Sequence, residues 1–458
     1  MSVWLYIAGL VIVTGLSVAV LGFVVTSLIE REWRAAGVSV GLGGVAVAPL
    51  VVLLLVDFPG REMVVGVVLG VGLVAALLLA LPLGPAGAVR VVGDQPRVDE
   101  RDAFFHRFYR LEPGMDEYDR YYEDHPDQRA FDERVRAMPN LASPGSRGFD
   151  PRLAAFPHAL NDVVERLSRD LDEDPAPVGS ERVDLEPEEL SRRLKGLARH
   201  HGARLVGCTR LNPAYVYSHI ARGPGDWGSP VVLNHRYALA IAVEMDHRFV
   251  RLAPDPPVIT ETTGQYLESA KIAVIVARTL HRLGWEARAH VDSNYRVMAV
   301  PIAVDAGLGE LGRLGLLITP DLGPRVRITV VTTNAPLAQD PPVTFGAAAF
   351  CETCLKCADA CPANAISKGP RRVVAGVEKW QSRDDTCYRH WRAVGTDCAV
   401  CVKVCPFSHP ANPAHDLVRW VIGRNGLTRR LALWGDDLCY GRLHAGKFPW
   451  PDWVDPRG

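Results

Sequence analysis

The chain has 458 residues, with 51 basic against 52 acidic side chains, 48% hydrophobic residues and ten cysteines. This length suggests two or three domains, and a formal net charge of −1 argues against a protein that binds nucleic acid by neutralising phosphates. Residues 1–90 are almost entirely apolar, and nine cysteines lie from Cys351 onwards. This uneven distribution excludes a purely soluble protein, a small disulfide-stapled domain and a disordered chain.

Three runs without a charged side chain come first, at 2–29, 35–56 and 63–81. Each reaches or nearly reaches the roughly 20 residues that a helix needs to cross about 30 Å of hydrocarbon. A cleavable secretory signal would have a basic start and a shorter apolar stretch, and this N-terminus has neither. Residues 1–83 are therefore predicted to form a three-helix membrane anchor, with buried helices of a soluble core as the alternative.

The basic residues beside the spans predict how the anchor faces. Three crossings place Arg61 on one side of the membrane and a larger basic set on the other, namely Arg31, Arg34, Arg90, Arg97 and Arg101. Because basic loops stay in the cytoplasm, the soluble part is expected to face the cytoplasm and the chain to be a multi-pass inner-membrane protein. The start also lacks a twin-arginine pair, the usual export mark of a protein that folds around a cofactor.

The soluble part divides by composition and periodicity. Residues 84–185 are predicted to be a linker and a peripheral segment, and 416–458 a C-terminal extension; neither is assigned a role. Between them, 186–345 is predicted to form a mixed α+β core, because helical and strand patterns alternate there. The predicted helices are 188–200 and 265–283, and the predicted strands are 203–208, 237–243, 286–291 and 326–332.

The cysteines form two groups with ferredoxin spacing. One group reads C-x2-C-x2-C-x3-C-P from Cys351 to Cys361, and the other is Cys387 followed by C-x2-C-x3-C-P from Cys398 to Cys405. A tight loop cannot supply the fourth corner of a cubane, so the cysteine before each proline is expected to bind the neighbouring cluster. Residues 346–415 are therefore predicted to hold one [4Fe–4S] cluster on Cys351, Cys354, Cys357 and Cys405, and a second on Cys361, Cys387, Cys398 and Cys401.

Other uses of these cysteines fit less well. Zinc also binds CxxC pairs and is the main alternative, whereas a disulfide framework does not suit a reducing cytoplasmic domain. Two neighbouring clusters conduct electrons but do not identify the acceptor. Nucleotide binding is weakly indicated, because the core has no Walker A loop and its G-x-G-x-x-G match at 307–312 lacks a convincing ribose-binding acid.

Three stretches of the soluble part carry a resemblance to a known family. They are TGQYLESAKIAVIVARTLHRLGWEARAH (263–290), AVDAGLGELGRLGLLITPDLGPRVRITVVTT (303–333) and CETCLKCADACPANAI (351–366). Together they resemble the corrinoid-dependent reductive dehalogenases, over about 186–410. The soluble epoxyqueuosine reductases are similar in sharing a cobalamin and two clusters.

The resemblance implies a nitroreductase-like corrinoid-binding domain over 186–345, beside a ferredoxin-like two-cluster domain. It implies that electrons pass from the clusters to cobalamin, whose Co(I) form breaks a carbon–halogen bond, and that Tyr266 then supplies a proton. Arg327 is expected to assist Tyr266, and Asn294 to complete the pocket, while no corrinoid ligands are implied. A guanidinium within about 4–6 Å of a tyrosine favours the phenolate, so Arg327 is expected to lower the pKa of Tyr266 from about 10.

The sequence thus predicts a membrane-anchored reductive dehalogenase that acts on an organohalide. Its electron donor is expected to be a quinol, a membrane dehydrogenase or reduced ferredoxin, and no nucleic-acid partner is expected. One alternative is a corrinoid reductase with a non-halogenated substrate, similar to epoxyqueuosine reductase. Another is a membrane iron–sulfur electron-transfer subunit without corrinoid. The sequence does not indicate which organohalide is used, the lower corrinoid ligand or the oligomeric state.

Overall fold

The computed structural model describes residues 2–83, 87, 89–173, 177–443, 446 and 448–455. The chain divides into two compact units. The first unit combines Met1–Gly87, Phe345–Lys356 and His409–Phe448, and the second combines Ala88–Thr344, Cys357–Ser408 and Pro449–Gly458. The predicted boundary between anchor and linker, at 83/84, adjoins residues 84–86, which lie outside the described residues.

The helices and strands of the described residues are named in chain order. The α-helices are α1 (Val3–Ile29), α2 (Trp33–Leu55), α3 (Arg61–Ala80), α4 (Phe104–Arg110), α5 (Asp116–Asp124), α6 (Pro126–Arg136), α7 (Pro151–Glu173), α8 (Pro187–His200), α9 (His247–Val250), α10 (Pro257–Arg282), α11 (Ala299–Asp305), α12 (Ala347–Cys354), α13 (Lys356–Ala360), α14 (Asp384–Val394), α15 (Val400–Lys403), α16 (Pro413–Ile422) and α17 (Gly426–Tyr440). The strands are β1 (Arg90–Val91), β2 (Leu205–Arg210), β3 (Tyr237–Glu244), β4 (Ala287–His290), β5 (Glu310–Leu311), β6 (Leu317–Ile318), β7 (Val326–Thr333), β8 (Arg372–Val374) and β9 (Val377–Lys379).

The first unit is built on three long apolar helices. Helices α1, α2 and α3 have 27, 23 and 20 residues, and each is long and apolar enough to cross a membrane. Most of their side chains are exposed, as expected for helices whose apolar surface faces hydrocarbon rather than protein. The predicted runs begin and end within two residues of these helices. The prediction of three long apolar N-terminal helices is therefore confirmed. Helices α12, α16 and α17 belong to the same unit.

The second unit centres on a four-stranded antiparallel sheet with strand order β2-β3-β7-β4. Alternate residues of a strand point to opposite faces, so the two faces of β3 join two different cores. Leu239, Ile241 and Val243 pack towards α8 and α10, whereas the alanines at 238, 240 and 242 pack towards α11. A β5–β6 hairpin and a small β1-β9-β8 sheet complete the strands of the described residues.

The predicted elements of the core agree with the structure in type, which confirms a mixed helix and strand fold. The main difference is at α10, which begins at Pro257 rather than at 265. Proline is tolerated in the first turn of a helix, where its missing N–H has no partner to lose, so a helix can begin there. The early start places Thr262 on the same helix as Tyr266, one turn before it.

Candidate functional site

Tyr266 and Arg327, here called the tyrosine–arginine pair, are brought together by the sheet and the helix that packs on it. Tyr266 lies on α10, and Arg327 lies on β7 opposite Val243 of β3. The Arg327 guanidinium carbon is 5.0 Å from the centre of the Tyr266 ring, within cation–π range. Both side chains are partly exposed. Among the described residues the Tyr266 hydroxyl has no hydrogen-bond partner, so it is available to a ligand.

Two side chains fix the position of the Arg327 guanidinium. Its Nη2 donates to Thr262 Oγ1 at 2.9 Å and to Asp397 Oδ2 at 3.2 Å. The Thr262 hydroxyl also donates to the same Asp397 oxygen. Thr262 precedes Tyr266 by four residues, so both lie on one side of α10. The three groups form a closed triangle that holds the guanidinium over the tyrosine ring.

Two buried polar atoms in this triangle lack hydrogen-bond partners within the described part of the chain. They are Nε of Arg327 and Oδ1 of Asp397. A buried polar atom without a partner costs about 1–3 kcal/mol, and such atoms are uncommon in folded proteins. Both atoms belong to the groups that hold the guanidinium over the Tyr266 ring, so a bound polar group or water could complete their hydrogen bonding.

The electrostatics of Tyr266 differ from the sequence-based expectation. Burial raises the pKa of Tyr266; Asp292 and Asp397 raise it further, while Arg327 lowers it, so that the net direction is upward. Arg327 thus acts in the expected sense, but the loss of water around the phenol is the larger effect. The expectation of a lowered pKa is wrong, and Tyr266 keeps its proton at neutral pH. Burial also raises the pKa of Asp397, and Arg327 opposes that shift.

Asn294 forms its hydrogen bonds with residues other than the tyrosine–arginine pair. Its side chain is fully buried. Its amide nitrogen donates to the Ser168 carbonyl at 2.9 Å and to Asp172 Oδ2 at 2.8 Å, and its oxygen accepts from Arg288 Nη2 at 2.9 Å. Within the described residues it forms no hydrogen bond with Tyr266 or Arg327. These bonds tie the loop that contains Asn294 to α7 and β4.

Several charged and aromatic neighbours of the pair were not found from the sequence. The Tyr295 hydroxyl donates to the Ile328 carbonyl at 2.7 Å, and burial raises its pKa well above the usual range. Arg222 and Asp292 form an ion pair at 3.3 Å, and both act electrostatically on Tyr266. The only feature of the sequence that could have indicated Tyr295 as a neighbour of the pair is its position directly after Asn294.

Four of the eight predicted cluster ligands interact with one another in the second unit. Burial raises the pKa of Cys387, and the thiols of Cys401, Cys398 and Cys361 raise it further. Burial raises the pKa of Cys401 to about 12 and that of Cys398 to about 11, and Cys361 acts on both. The Ala365 N–H donates to Cys361 Sγ at 3.3 Å. Four mutually interacting thiols, one of them accepting an N–H bond, are the donor set that an iron–sulfur cluster requires.

The other four predicted ligands are divided between the two compact units. Cys351 and Cys354 lie on α12 in the first unit, where burial raises the pKa of Cys354 to about 12 and Cys351 adds to the shift. Cys357 and Cys405 belong to the second unit. Their assignment to one cluster therefore rests on the sequence spacing.

Two other features are not centred on the pair. A cavity of about 390 Å³ is lined by charged groups of α7, α10 and β4, including Asp172 and Arg288, but not by Tyr266 or Arg327. Aliphatic side chains such as Leu171 and Val274 also line it, and its charged lining includes the Arg288–Asp172 ion pair.

The second is in the first unit, where ligand atoms of Glu30, His409 and His415 lie within 4.8 Å of one another. The two imidazoles stack at 4.6 Å with planes 13° apart, so their in-plane lone pairs run nearly parallel. His415 faces Glu30 at 3.2 Å and His409 faces Asp436 at 3.2 Å. We interpret this group as two hydrogen-bonded histidine–carboxylate pairs.

Comparison with known proteins shows which proteins the chain is similar to. Residues 350–409 match the family model described as 4Fe-4S dicluster domain. The chain is 33% identical over 304 residues to the tetrachloroethene reductive dehalogenase of Sulfurospirillum multivorans, which covers 58% of this chain and 60% of that protein. The chain is thus similar to the reductive dehalogenases. The corresponding enzyme of Dehalobacter restrictus is 38% identical over 216 residues, covering 44% of this chain and 38% of that protein.

The fold is similar to that of a solved reductive dehalogenase structure. The catabolic reductive dehalogenase NpRdhA in complex with 3-bromo-4-hydroxybenzoic acid superposes with a TM-score of 0.61 at 23% identity, covering 84% of this chain and 54% of that chain. An epoxyqueuosine reductase of a Synechococcus strain is 31% identical over 176 residues, covering 36% of this chain and 53% of that protein. The chain spans less than two thirds of the length of the curated dehalogenases that it matches.

Proposed function

We propose that the chain is a membrane-anchored reductive dehalogenase, which replaces a halogen of an organohalide by hydrogen. The observation that carries the proposal is the tyrosine–arginine pair. The family resemblance indicated both residues, which are 61 positions apart in the chain. The Arg327 guanidinium carbon lies 5.0 Å from the centre of the Tyr266 ring, and the phenol hydroxyl has no hydrogen-bond partner among the described residues. This is the arrangement that proton delivery to a bound substrate requires.

The roles of the residues follow from their contacts. Tyr266 is the proton donor, since the raised pKa keeps the phenol protonated until a stronger base forms on the substrate carbon. Arg327 is the electrostatic partner that stabilises the phenolate left after the transfer. Thr262 and Asp397 are positioning residues, because they act by holding the guanidinium. Asn294 acts further out, by fixing its loop to α7.

The polar groups of these residues suit a bound corrinoid. The unpartnered atoms of Arg327 and Asp397 and the Tyr266 hydroxyl together offer donors and an acceptor to a polar group or ordered water bound there. When bound, a corrinoid supplies a strongly reducing cobalt centre for cleavage of the carbon–halogen bond. The family relation supports a nitroreductase-like form for the core at 186–345, which binds that group.

Two [4Fe–4S] clusters would deliver the electrons. The donor set of Cys361, Cys387, Cys398 and Cys401 supports one of them, through the mutual interactions of the four thiols. The spacing of the first group, with the cysteine before proline crossing over, supports the second on Cys351, Cys354, Cys357 and Cys405. Each cluster accepts and passes one electron at a time, and replacing a halogen by hydrogen takes two electrons and one proton.

The three apolar helices would anchor this enzyme in the inner membrane, with the catalytic part in the cytoplasm. The excess of arginine on the side that carries the catalytic part supports this orientation. A quinol, a membrane dehydrogenase or reduced ferredoxin would be the electron donor. The substrate would be a small organohalide, the class to which the 3-bromo-4-hydroxybenzoic acid of the NpRdhA complex belongs.

A halide-release assay tests the proposed function. The full chain is prepared anaerobically with its cofactors and incubated with a low-potential reductant and with alkyl, vinyl and aryl halides in turn. Halide is measured by ion chromatography and the product by mass spectrometry. We expect halide release with hydrogen in place of the halogen for at least one class. Protein that contains cobalt and iron but releases no halide from any class would contradict the proposal.

A further inference from the structure

Helices α16 and α17 of the C-terminal extension have an inverted pattern of exposure. Their buried residues are largely polar, namely His415, Arg419, Asn425, Thr428, Arg429 and Asp436. The opposite surface of the two helices exposes an apolar stripe of Leu417, Trp420, Leu427, Leu431 and Trp434. Within α17 the stripe recurs at positions i, i+4 and i+7, so it occupies one side of the helix. Water-facing helices of soluble proteins show the reverse arrangement.

The ends of α16 and α17 are tied to one end of the apolar helices. Asn425, between α16 and α17, donates from Nδ2 to the carbonyls of Leu78, Leu79 and Leu81 at 3.1–3.3 Å, where α3 ends. Such carbonyls have no partner within their own helix. At the other end of α17, Arg34, in the first turn of α2, donates from Nε to the Leu438 carbonyl at 3.0 Å.

A third link joins α16 to the end of α1. His415 Nε2 faces Glu30 Oε2 at 3.2 Å, and Asn412 donates to Glu30 Oε1 at 3.0 Å. Successive spans run in opposite directions, so the end of α1, the start of α2 and the end of α3 lie at the same end of the three-helix group. If these helices span a bilayer, α16 and α17 lie at the level where the spans leave the hydrocarbon.

The side chains of the exposed stripe suit that level. Tryptophan concentrates at the boundary between acyl chains and headgroups, because its ring is apolar and its N–H needs a polar partner. The Arg424 guanidinium lies 4.3 Å from the centre of the Trp420 ring, and Arg430 is exposed on α17 beside Leu431. Cations beside apolar side chains are typical of helices that lie in the membrane interface and bind lipid phosphates.

We propose that α16 and α17 lie in the bilayer interface, with the stripe of Leu417, Trp420, Leu427, Leu431 and Trp434 inserted among the outer acyl carbons. This inference rests on the proposed membrane anchoring and extends it, since it gives the C-terminal extension a lipid-binding role. It fixes the segment Phe345–Lys356, which carries Cys351 and Cys354, at the membrane surface, because that segment belongs to the same compact unit.

Photo-crosslinking of the full chain in lipid nanodiscs tests the proposal. The variant Leu431→p-benzoylphenylalanine probes the stripe. Leu73→p-benzoylphenylalanine, in the middle of α3, is the positive control for the anchor, and Val373→p-benzoylphenylalanine, on β8 of the second unit, is the negative control. All three side chains are exposed, at 46%, 62% and 63%. We expect phospholipid adducts at 431 and 73 and none at 373.

The outcomes separate the two claims. Adducts at 73 without adducts at 431 would overturn the proposal and leave the anchor in place. Crosslinks from 431 to a second copy of the chain or to another protein would overturn it in favour of a protein interface. An absence of lipid adducts at both positions would overturn the anchor together with the proposal.

A fluorescence measurement on the same nanodiscs provides an independent check. Phospholipids brominated close to the headgroup quench tryptophans at the membrane interface. Trp434→Phe should reduce the quenched fraction of the emission, whereas Trp380→Phe, a buried residue of the second unit, should leave the quenched emission unchanged. An equal effect of both substitutions would contradict the proposal.

Discussion

The substitution Tyr266→Phe tests the role of the tyrosine–arginine pair. It removes the hydroxyl and keeps the ring, so the contact with Arg327 at 5.0 Å is retained. No described residue loses a hydrogen-bond partner, because the hydroxyl has none among them. The variant should therefore fold and bind its cofactors as the natural chain does, which makes a change in rate interpretable as a change in proton transfer.

The size of the effect can be estimated from the geometry. At about 5 Å and an effective dielectric constant of about 20, a unit charge on Arg327 stabilises a phenolate by about 3 kcal/mol. An interaction of this size lowers the pKa of the phenol by about two units and so opposes the rise that burial causes. A positioned general acid contributes about 10²–10⁴-fold to rate. We expect kcat for dehalogenation to fall by about 10²–10⁴ in Tyr266→Phe.

Tyr295→Phe is the matched control, since Tyr295 is a neighbouring tyrosine whose hydroxyl is bonded to the Ile328 carbonyl at 2.7 Å. It should cost about 1 kcal/mol of stability and less than about tenfold in kcat. Halide release is measured for all three proteins at equal cobalt and iron content. The role of Tyr266 as proton donor would be contradicted if Tyr266→Phe keeps more than about a tenth of kcat, or if the two substitutions lower kcat equally.

Three further predictions follow from the site. Cys387→Ser should halve the iron content measured by atomic spectroscopy, whereas Cys208→Ala should leave it unchanged; full iron in Cys387→Ser would contradict the ligand assignment. Asn294→Ala should lower the apparent melting temperature in differential scanning fluorimetry by a few degrees, because it removes the buried hydrogen bonds that Asn294 makes with the Ser168 carbonyl, Arg288 and the Asp172 carboxylate; an unchanged temperature would oppose a structural role. Burial raises the pKa of Tyr266, so the phenol stays protonated at every pH below that raised value. A plot of log kcat against pH should therefore show no fall caused by this group below about pH 9. An ultraviolet titration that shows a tyrosinate signal with a midpoint near pH 7, and that loses this signal in Tyr266→Phe, would contradict the prediction.

The apolar helices and the sheet could be predicted because their signals are local. A run of about 20 uncharged residues contains the whole requirement for a span, and α1–α3 begin and end within two residues of the predicted runs. The strands likewise follow from short apolar periodicities. The start of α10 at Pro257 could not be predicted from the sequence, because the first two turns contain few apolar residues and a proline usually indicates the end of a helix.

The site was predictable only where a family motif marks it. Tyr266 and Arg327 belong to such motifs, and the structure places them together. Asp397 was not identified, because its contact with Arg327 joins positions 70 residues apart, and nothing in the local pattern distinguishes it. The direction of the Tyr266 pKa shift could not be predicted from the sequence, because burial raises the pKa and the charge of Arg327 lowers it. Only the three-dimensional surroundings of the phenol determine which effect is larger.

The most direct test of the account is the metal content of the full chain, prepared anaerobically in a host supplied with corrinoid. Atomic spectroscopy combined with electron paramagnetic resonance measures cobalt, iron and the cobalt coordination together. A corrinoid dehalogenase with two clusters should contain about one cobalt and about eight iron per chain and show the signal of a base-off cobalt(II) corrinoid. Iron near eight with no cobalt, even after reconstitution, would contradict the dehalogenase and leave an iron–sulfur electron-transfer subunit.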